Sequence, residues 1–70
     1  MPKLPELTPR KIEQILCSFG FVLERQKGSH CIYKNGNKLV VVPFHRTVKK
    51  GTLHAIIKAS GIEVEDFLLK

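Results

Sequence analysis

The dipeptide Asn35-Gly36 constrains the fold of this 70-residue chain more than any other feature. Both central residues of a type I′ hairpin need positive φ, which asparagine and glycine tolerate. The β-prone segments 30–34 and 39–42 flank the dipeptide, and Pro43 would stop the later strand. An extended segment at 21–26 precedes them, with Lys27-Gly28-Ser29 as the turn between. We therefore expect three consecutive antiparallel strands in the middle of the chain.

A helix is predicted before these strands. Thr8 followed by Pro9 fits an N-cap residue and a proline at the first helical position. Apolar residues then recur at helical spacing and form one stripe, and Gly20 is suited to a left-handed cap at the end. The stripe consists of Ile12, Ile15, Leu16 and Phe19. Residues 1–7 are expected to form an extended leader.

A second helix should follow a loop at 44–51. Thr52 is its expected N-cap, and Gly61 its end. Residues 63–69 can form a short last helix. The predicted fold class is therefore α+β, with a helix, a three-stranded antiparallel sheet, a helix and a short C-terminal helix. Two helices can cover only one face of such a sheet, so the other face should be open or covered by a partner.

Size and composition limit the class of protein. Seventy residues make one domain, spanning 1–70, near the lower limit for a self-sufficient core. No apolar run approaches 18 residues and no N-terminal signal pattern is present, so we expect a cytoplasmic protein with no membrane segment. Cys17 and Cys31 form no zinc pattern, and a disulfide is not expected in a chain that is not exported.

The distribution of charge indicates a polyanionic partner. The net charge is +6, and no Asp or Glu occurs between Arg25 and Ile62. Clustered cations bind nucleic acid favourably because they displace counterions from its phosphates. The cations of this stretch are Arg25, Lys27, Lys34, Lys38, Arg46, Lys49, Lys50 and Lys58.

His30 is the strongest candidate for chemistry within this basic stretch. Gly28 and Ser29 add little bulk before it, so a phosphate could approach the imidazole. Side chains alternate along a strand, which places His30 and Lys34 together on one face. We expect that face to be the open one, because burying Lys34 without an acid partner would cost several kcal/mol. The simpler alternative is that His30 is a surface residue without a chemical role.

Three further groups are weaker candidates. Lys49 and Lys50 precede a helix and form a candidate phosphate site, although a solvated charged loop is the alternative. His45 could be a second acid/base group or a phosphate contact, but a surface role is simpler. A metal site made of His30, Cys31 and His45 is unfavourable, since the first two point to opposite faces and no carboxylate is near in sequence.

Several motifs together resemble the HicA family, also called YcfA-like, over about 8–67. They are Gly28-Ser29-His30, Val41-Val42-Pro43-Phe44-His45, Lys50-Gly51-Thr52-Leu53 and the segment 56–62. The resemblance implies a fold like the double-stranded-RNA-binding domain and a toxin of a type II toxin–antitoxin system. It also implies an mRNA interferase that blocks translation and a HicB-like antitoxin that covers the active face. His30 matches the family's Gly-Ser-His motif, which implies that it is catalytic.

The residue chemistry agrees with a metal-independent endoribonuclease that needs no cofactor. Neutral His30 could take the proton from a ribose 2′-OH, and Lys34 or the Lys49-Lys50 pair would neutralise the charge that develops on the phosphate. A non-catalytic RNA-binding module of the same fold is the alternative. The expected RNA-binding residues are Lys27, Gly28, Ser29, Lys34, His45, Lys49 and Lys50.

Overall fold

The computed structural model describes residues 6–44 and 46–69. Most of the expected leader and His45 therefore lie outside the described residues. The strands form one antiparallel sheet in the order β1-β2-β3. The predicted α+β order of elements is confirmed, and the boundaries lie within two residues of those expected except at the start of α2. The elements are α1 (Pro9–Ser18), β1 (Val22–Lys27), β2 (His30–Asn35), β3 (Lys38–Pro43), α2 (Lys50–Ser60) and α3 (Val64–Leu68).

Helix α1 begins as its sequence predicts. The Oγ1 atom of Thr8 accepts a hydrogen bond from the backbone N–H of Lys11 at 3.2 Å, and Pro9 follows the cap. Leu7, just before this helix, pairs with Val48 through two backbone hydrogen bonds of 3.3 and 2.7 Å. This bridge joins the segment before α1 to the segment before α2, and no local sequence pattern predicts it.

The hairpin between β2 and β3 differs from the predicted turn by one residue. Its two central residues are Gly36 and Asn37, and Asn35 remains in β2 opposite Lys38. Only Gly36 has positive φ, at 61°, so the type I′ assignment was wrong. A glycine at the first central position is the pattern of a type II′ turn. Asn35 stays in the strand because its side-chain Nδ2 donates to the carbonyl of Phe19 at the end of α1, at 3.1 Å.

Helix α2 starts earlier than expected. Its N-cap is Lys49, which makes no side-chain capping hydrogen bond, and Thr52 lies within the first turn. The prediction of Thr52 as the cap and of a loop reaching residue 51 was therefore wrong. The carbonyl of Lys49 already accepts from the N–H of Leu53 at 2.9 Å, so helical hydrogen bonding begins three residues before Thr52. Gly61 ends the helix as predicted.

The hydrophobic core lies between one face of the sheet and the helices. The sheet contributes Cys31, Tyr33, Val40 and Val42, all buried. The helices contribute Ile12, Ile15 and Leu16 of α1, Leu53, Ile56 and Ile57 of α2, and Phe67 of α3. The hydroxyl of Tyr33 donates to Oε2 of Glu13 in α1 at 2.6 Å. The opposite face of the sheet has no helix over it among the described elements, as expected. We call it the open face.

Two further expectations concern the cysteines and the membrane. Cys17 is exposed and Cys31 is buried, and neither forms a disulfide. Within residues 6–44 and 46–69, no helix has the length and apolar content needed to span a membrane.

Candidate active site

A two-residue turn places Lys27 directly opposite His30. Gly28 and Ser29 are the turn residues, and Lys27 and His30 are the pair that closes the hairpin. Gly28 has φ of 61°, a conformation that a residue with a Cβ rarely adopts. The side chain of Gln26 braces the turn by donating from Nε2 to the carbonyl of Gly28 at 3.0 Å. Paired residues of antiparallel strands point to the same face, so the ammonium and the imidazole lie on one side of the sheet.

Strand β3 supports the other side of His30. In the pairing of β2 with β3, Pro43 lies opposite His30. One residue further, the N–H of Phe44 donates to the carbonyl of Ser29 at 2.6 Å. The turn that carries Ser29 is therefore held by both neighbouring strands, which fixes the backbone on which His30 is mounted.

The open face consists of three rows of side chains that run across the strands. Cys31 and Tyr33 belong to the core on the opposite face, so the alternation that was predicted for β2 is confirmed. His30 and Lys34 are exposed, whereas Ile32 between them is only 8% exposed. The rows, read from β1 to β3, are Lys27, His30 and Pro43; Arg25, Ile32 and Val41; and Val22, Lys34 and Leu39.

Lys34 has an acid partner that was not expected from the sequence. Its Nζ lies 3.6 Å from Oε2 of Glu24, and the two side chains are 51% and 38% exposed. The pairing of β1 with β2 shifts between Leu23 and Arg25, and Glu24 lies in this irregularity. The assumption that Lys34 lacks an acid partner was therefore wrong. An exposed ion pair of this kind contributes about 0.2–1 kcal/mol, so Lys34 remains available to a polyanion.

The other expected cations lie at the start of α2. Lys49 and Lys50 are both exposed. Lys49 also lines a shallow cleft of about 350 Å³, together with Pro43, Arg46 and Thr52. Pro43 thus borders this cleft and is also the strand partner of His30. Pro43 therefore lies between His30 on one side and the cleft at the start of α2 on the other. His45 lies outside the described residues.

Within the described part of the chain, metal-ligating side chains do not form a cluster, and Tyr33, whose pKa is raised, lies on the core face rather than on the open face. Among the residues that the structure describes, no group of three or more His, Cys, Asp or Glu side chains could hold a metal ion. Burial, and then the hydrogen bond to Glu13, raise the pKa of Tyr33 above its ordinary value. The open face presents the exposed imidazole of His30 opposite Lys27.

The arrangement contains residues that sequence reasoning did not use. Arg25 shares the open face with His30, one row away, but it was counted only among the cations of the basic stretch. The pairing of Lys27 with His30 follows from the length of the turn. The prediction of Lys27 as a turn residue was therefore wrong, because Lys27 is the last residue of β1 and only Gly28 and Ser29 form the turn. A two-residue loop is the local signal that would have indicated this pairing.

Comparison of the sequence with models of known protein families gives a match that covers the sheet and the two longer helices. A family model described as HicA toxin of bacterial toxin-antitoxin matches residues 9–62. The chain belongs to the HicA toxin family. The match extends from the start of α1 beyond the end of α2 and includes the whole sheet. No curated protein matches the chain significantly.

Family membership confirms the coarser expectations for this HicA toxin. It is the toxin of a toxin–antitoxin system, and an antitoxin is implied as its partner. The helix, sheet, helix and short last helix are consistent with the fold of the double-stranded-RNA-binding domain that the resemblance implied.

Proposed function

We propose that this HicA toxin is a metal-independent endoribonuclease that cleaves mRNA in the cytoplasm and so blocks translation. The observation that carries the proposal is the position of His30. It is exposed on the open face, opposite Lys27, in the part of the chain that lacks acidic residues. An imidazole is suited to proton transfer near neutral pH, and a neighbouring cation is suited to a phosphate.

In the proposed reaction, the RNA supplies its own nucleophile. The imidazole of His30 takes the proton from a ribose 2′-OH, and the 2′ oxygen attacks the adjacent phosphorus. The bond from phosphorus to the 5′ oxygen of the next nucleotide breaks, and that oxygen takes a proton from solvent. The products are a 2′,3′-cyclic phosphate and a 5′-hydroxyl end. No atom is oxidised or reduced, and the proposed reaction requires no cofactor.

Of the proposed RNA-binding residues, four lie on the hairpin of β1 and β2, two lie at the start of α2, and His45 is outside the described residues. Gly28 and Ser29 leave room for the phosphate beside the imidazole, and the cations and His45 hold the backbone. The proposed set is Lys27, Gly28, Ser29, Lys34, His45, Lys49 and Lys50. Each Lys→Ala change should weaken binding to unrelated RNA sequences and lower the slope of log K against log salt by about 0.7. An altered sequence preference with an unchanged slope would contradict a phosphate-binding role.

The decisive experiment compares two exposed histidines. His30→Ala should lower cleavage of a single-stranded transcript in EDTA by about 10²–10⁴-fold, since that is the range contributed by one acid/base group. His54→Ala is the matched control, because His54 is exposed on α2 and is not part of the proposed site. Undiminished cleavage by the His30 variant would remove it from the mechanism, and a strict Mg²⁺ requirement would remove the metal-free scheme.

A substrate variant separates cleavage from binding. RNA with 2′-O-methyl groups keeps its phosphates but has no 2′-OH to deprotonate. The toxin should bind it with nearly the affinity of ordinary RNA and leave it intact. If ordinary RNA is also bound and left intact by the native chain, the protein is a non-catalytic RNA-binding module.

We also propose that the antitoxin is HicB-like and covers the open face. Leu39 and Val41 on β3 are 49% and 44% exposed there, across β2 from the cations of β1, so a partner that pairs an apolar patch with acidic residues would fit. Expression of this chain alone should stop growth of a bacterial host, and the protein encoded beside it should restore growth. A pull-down that recovers no complex would contradict direct covering of this face.

A further inference from the structure

The first two rows of the open face have a cationic side on β1 and an apolar side on β3, whereas in the third row Val22 on β1 is apolar. In the first two rows, the residue on β1 is a cation, Lys27 and then Arg25. In all three rows, the residue on β3 is apolar, and Leu39 and Val41 are about half exposed. His30 lies on β2 between the two sides. An extended strand of nucleic acid has the same division, with charged phosphates along one edge and bases along the other.

The dimensions of a sheet determine which cation lies near the imidazole. The Cβ atoms of directly opposite residues are about 4.5–5.5 Å apart, so the Lys27 ammonium can reach a phosphate that contacts His30. Lys34 is four residues along β2 from His30, a separation of about 13 Å along the strand. It also pairs with Glu24. Lys27, rather than Lys34, is therefore positioned for the phosphate at which the bond breaks.

We propose that single-stranded RNA lies along the open face with its backbone over β1 and its bases over β3. Lys27 contacts the phosphate that is cleaved beside His30, and Arg25 contacts the neighbouring phosphate. Leu39, Val41 and Pro43 contact the bases. This inference rests on the proposed endoribonuclease function and extends it to a substrate class, a catalytic lysine and a binding arginine.

The chemistry of the reaction favours an unpaired strand. The 2′ oxygen must approach phosphorus opposite the departing 5′ oxygen, and regular duplex geometry holds the ribose away from that alignment. An unpaired strand can rotate into it. A duplex would also keep its bases paired inside the helix, where the side chains of β3 could not contact them. The substrate is therefore expected to be a loop, an end or an unstructured stretch of mRNA.

The apolar side of the face predicts weak selection among bases. The side chains of Leu39, Val41 and Pro43 have no hydrogen-bond donors or acceptors that could distinguish base edges. Contact with them removes apolar surface from water for any base. The enzyme should therefore cut at many sequences, and local RNA structure should decide where it cuts more than base identity does.

Lys27 and Arg25 should affect different kinetic constants. As the 2′ oxygen bonds to phosphorus, negative charge accumulates on the phosphoryl oxygens, and Lys27 would neutralise it there. A group that acts mainly on the transition state lowers kcat when it is removed. Arg25 holds a phosphate that does not react, so its contact is equally strong in the ground state and the transition state. Its loss should raise KM with little change in kcat.

The kinetic test uses glutamine variants and a short unstructured RNA. Lys27→Gln should lower kcat about 10²-fold, the lower end for one group that stabilises developing charge, and Lys27→Arg should recover part of the loss. Arg25→Gln should raise KM several-fold with kcat nearly unchanged. Lys58→Gln is the control, because Lys58 is exposed on α2 outside the proposed site. A Lys27→Gln variant with unchanged kcat would overturn the catalytic assignment.

The substrate test compares the RNA alone with the same RNA annealed to its complement. The single strand should be cleaved with a kcat/KM at least tenfold higher than the duplex, and equal values would overturn the single-strand proposal. Val41→Thr is nearly isosteric and should raise KM for the single strand. If Val41→Thr weakens antitoxin binding and leaves KM unchanged, the apolar side serves the antitoxin and the base contacts are overturned.

The two levels of the proposal fail in different ways. If His30→Ala still cleaves RNA as the native chain does, the proposed endoribonuclease mechanism is wrong. If His30→Ala is inactive but Lys27→Gln keeps its kcat, the mechanism stands and the further inference alone is wrong. The thermal unfolding midpoint of each variant identifies any loss of activity that comes from unfolding.

Discussion

Replacing Tyr33 by phenylalanine should destabilise the fold and leave the open face unchanged. Tyr33 is fully buried on the core face of β2, and its hydroxyl donates to Oε2 of Glu13 in α1 at 2.6 Å. The phenylalanine ring would fill the same space, so packing is kept and the hydrogen bond alone is removed. The variant therefore measures how much this bond contributes to holding α1 on the sheet.

The expected magnitude follows from the charge of the acceptor. A hydrogen bond to a charged group contributes about 1.5–3 kcal/mol. Glu13 is only half-buried, so water can replace part of the lost interaction, and we expect a loss of about 1.5–2 kcal/mol. In a domain of this size, each kcal/mol lowers the unfolding midpoint by about 4–8 °C, so the midpoint should fall by about 10 °C.

The same bond predicts how stability depends on alkaline pH. Burial, and then the hydrogen bond with Glu13, raise the pKa of Tyr33 above its ordinary value of 10.0. Because the folded state holds the phenol proton more tightly than the unfolded state, this contribution is complete below pH 10 and is lost as the pH rises above that value. Tyr33→Phe lacks the group, so the difference in stability between the two proteins should narrow above pH 10.

Urea unfolding at pH 7 and at pH 10.5 measures both effects. Glu13→Ala removes the acceptor, and the double variant completes a cycle that isolates the interaction. We expect a coupling energy of about 1 kcal/mol. A Tyr33→Phe variant as stable as the native chain, or strictly additive single changes, would refute the reasoning. The kcat of Tyr33→Phe on RNA should match the native value, since the ring lies on the face opposite His30.

Three other substitutions test separate parts of the fold, each by urea or thermal unfolding. Ser60→Ala should cost about 1–2 kcal/mol, because the buried hydroxyl donates to the carbonyl of Ile57 and accepts from the N–H of Ile62. Gly51→Ala should stabilise α2 by about 0.4–1 kcal/mol, since nothing lies within 4 Å of the added Cβ and the glycine lacks positive φ. Gly28→Ala should cost about 1–2 kcal/mol through its φ of 61° and lower kcat by disturbing the turn before His30; unchanged stability would contradict this turn geometry.

The elements of this fold could be predicted because their signals are local. The first helix has a capping threonine, a proline and an apolar stripe within twelve residues, and the structure contains the threonine cap, the proline and the buried stripe residues Ile12, Ile15 and Leu16. The placement of alternate β2 side chains on opposite faces likewise follows from the two-residue period of a strand. Such patterns depend on neighbours in the chain, so no knowledge of the tertiary structure is needed to interpret them.

The features that could not be predicted depend on distant contacts. Asn35 leaves the turn because its amide hydrogen-bonds to the carbonyl of Phe19, sixteen residues earlier. Glu24 reaches Lys34 because the pairing of β1 with β2 shifts just beside it. Lys49, rather than Thr52, is the N-cap of α2, and the residue before it, Val48, pairs with Leu7. In each case, a partner far along the chain changes the outcome that the local residues favour.

The candidate site combines both kinds of information. The Gly28-Ser29 turn is local, and its two-residue length makes Lys27 and His30 opposite neighbours whichever way the helices pack. Strand β3 then adds Pro43 beside His30 and an apolar side that no local pattern relates to it. Because side chains alternate along β2, Tyr33 holds the helices on one face while His30 is exposed on the other. Stability and the proposed chemistry therefore depend on opposite faces of the same strand, and substitutions on one face can leave the other nearly unaffected.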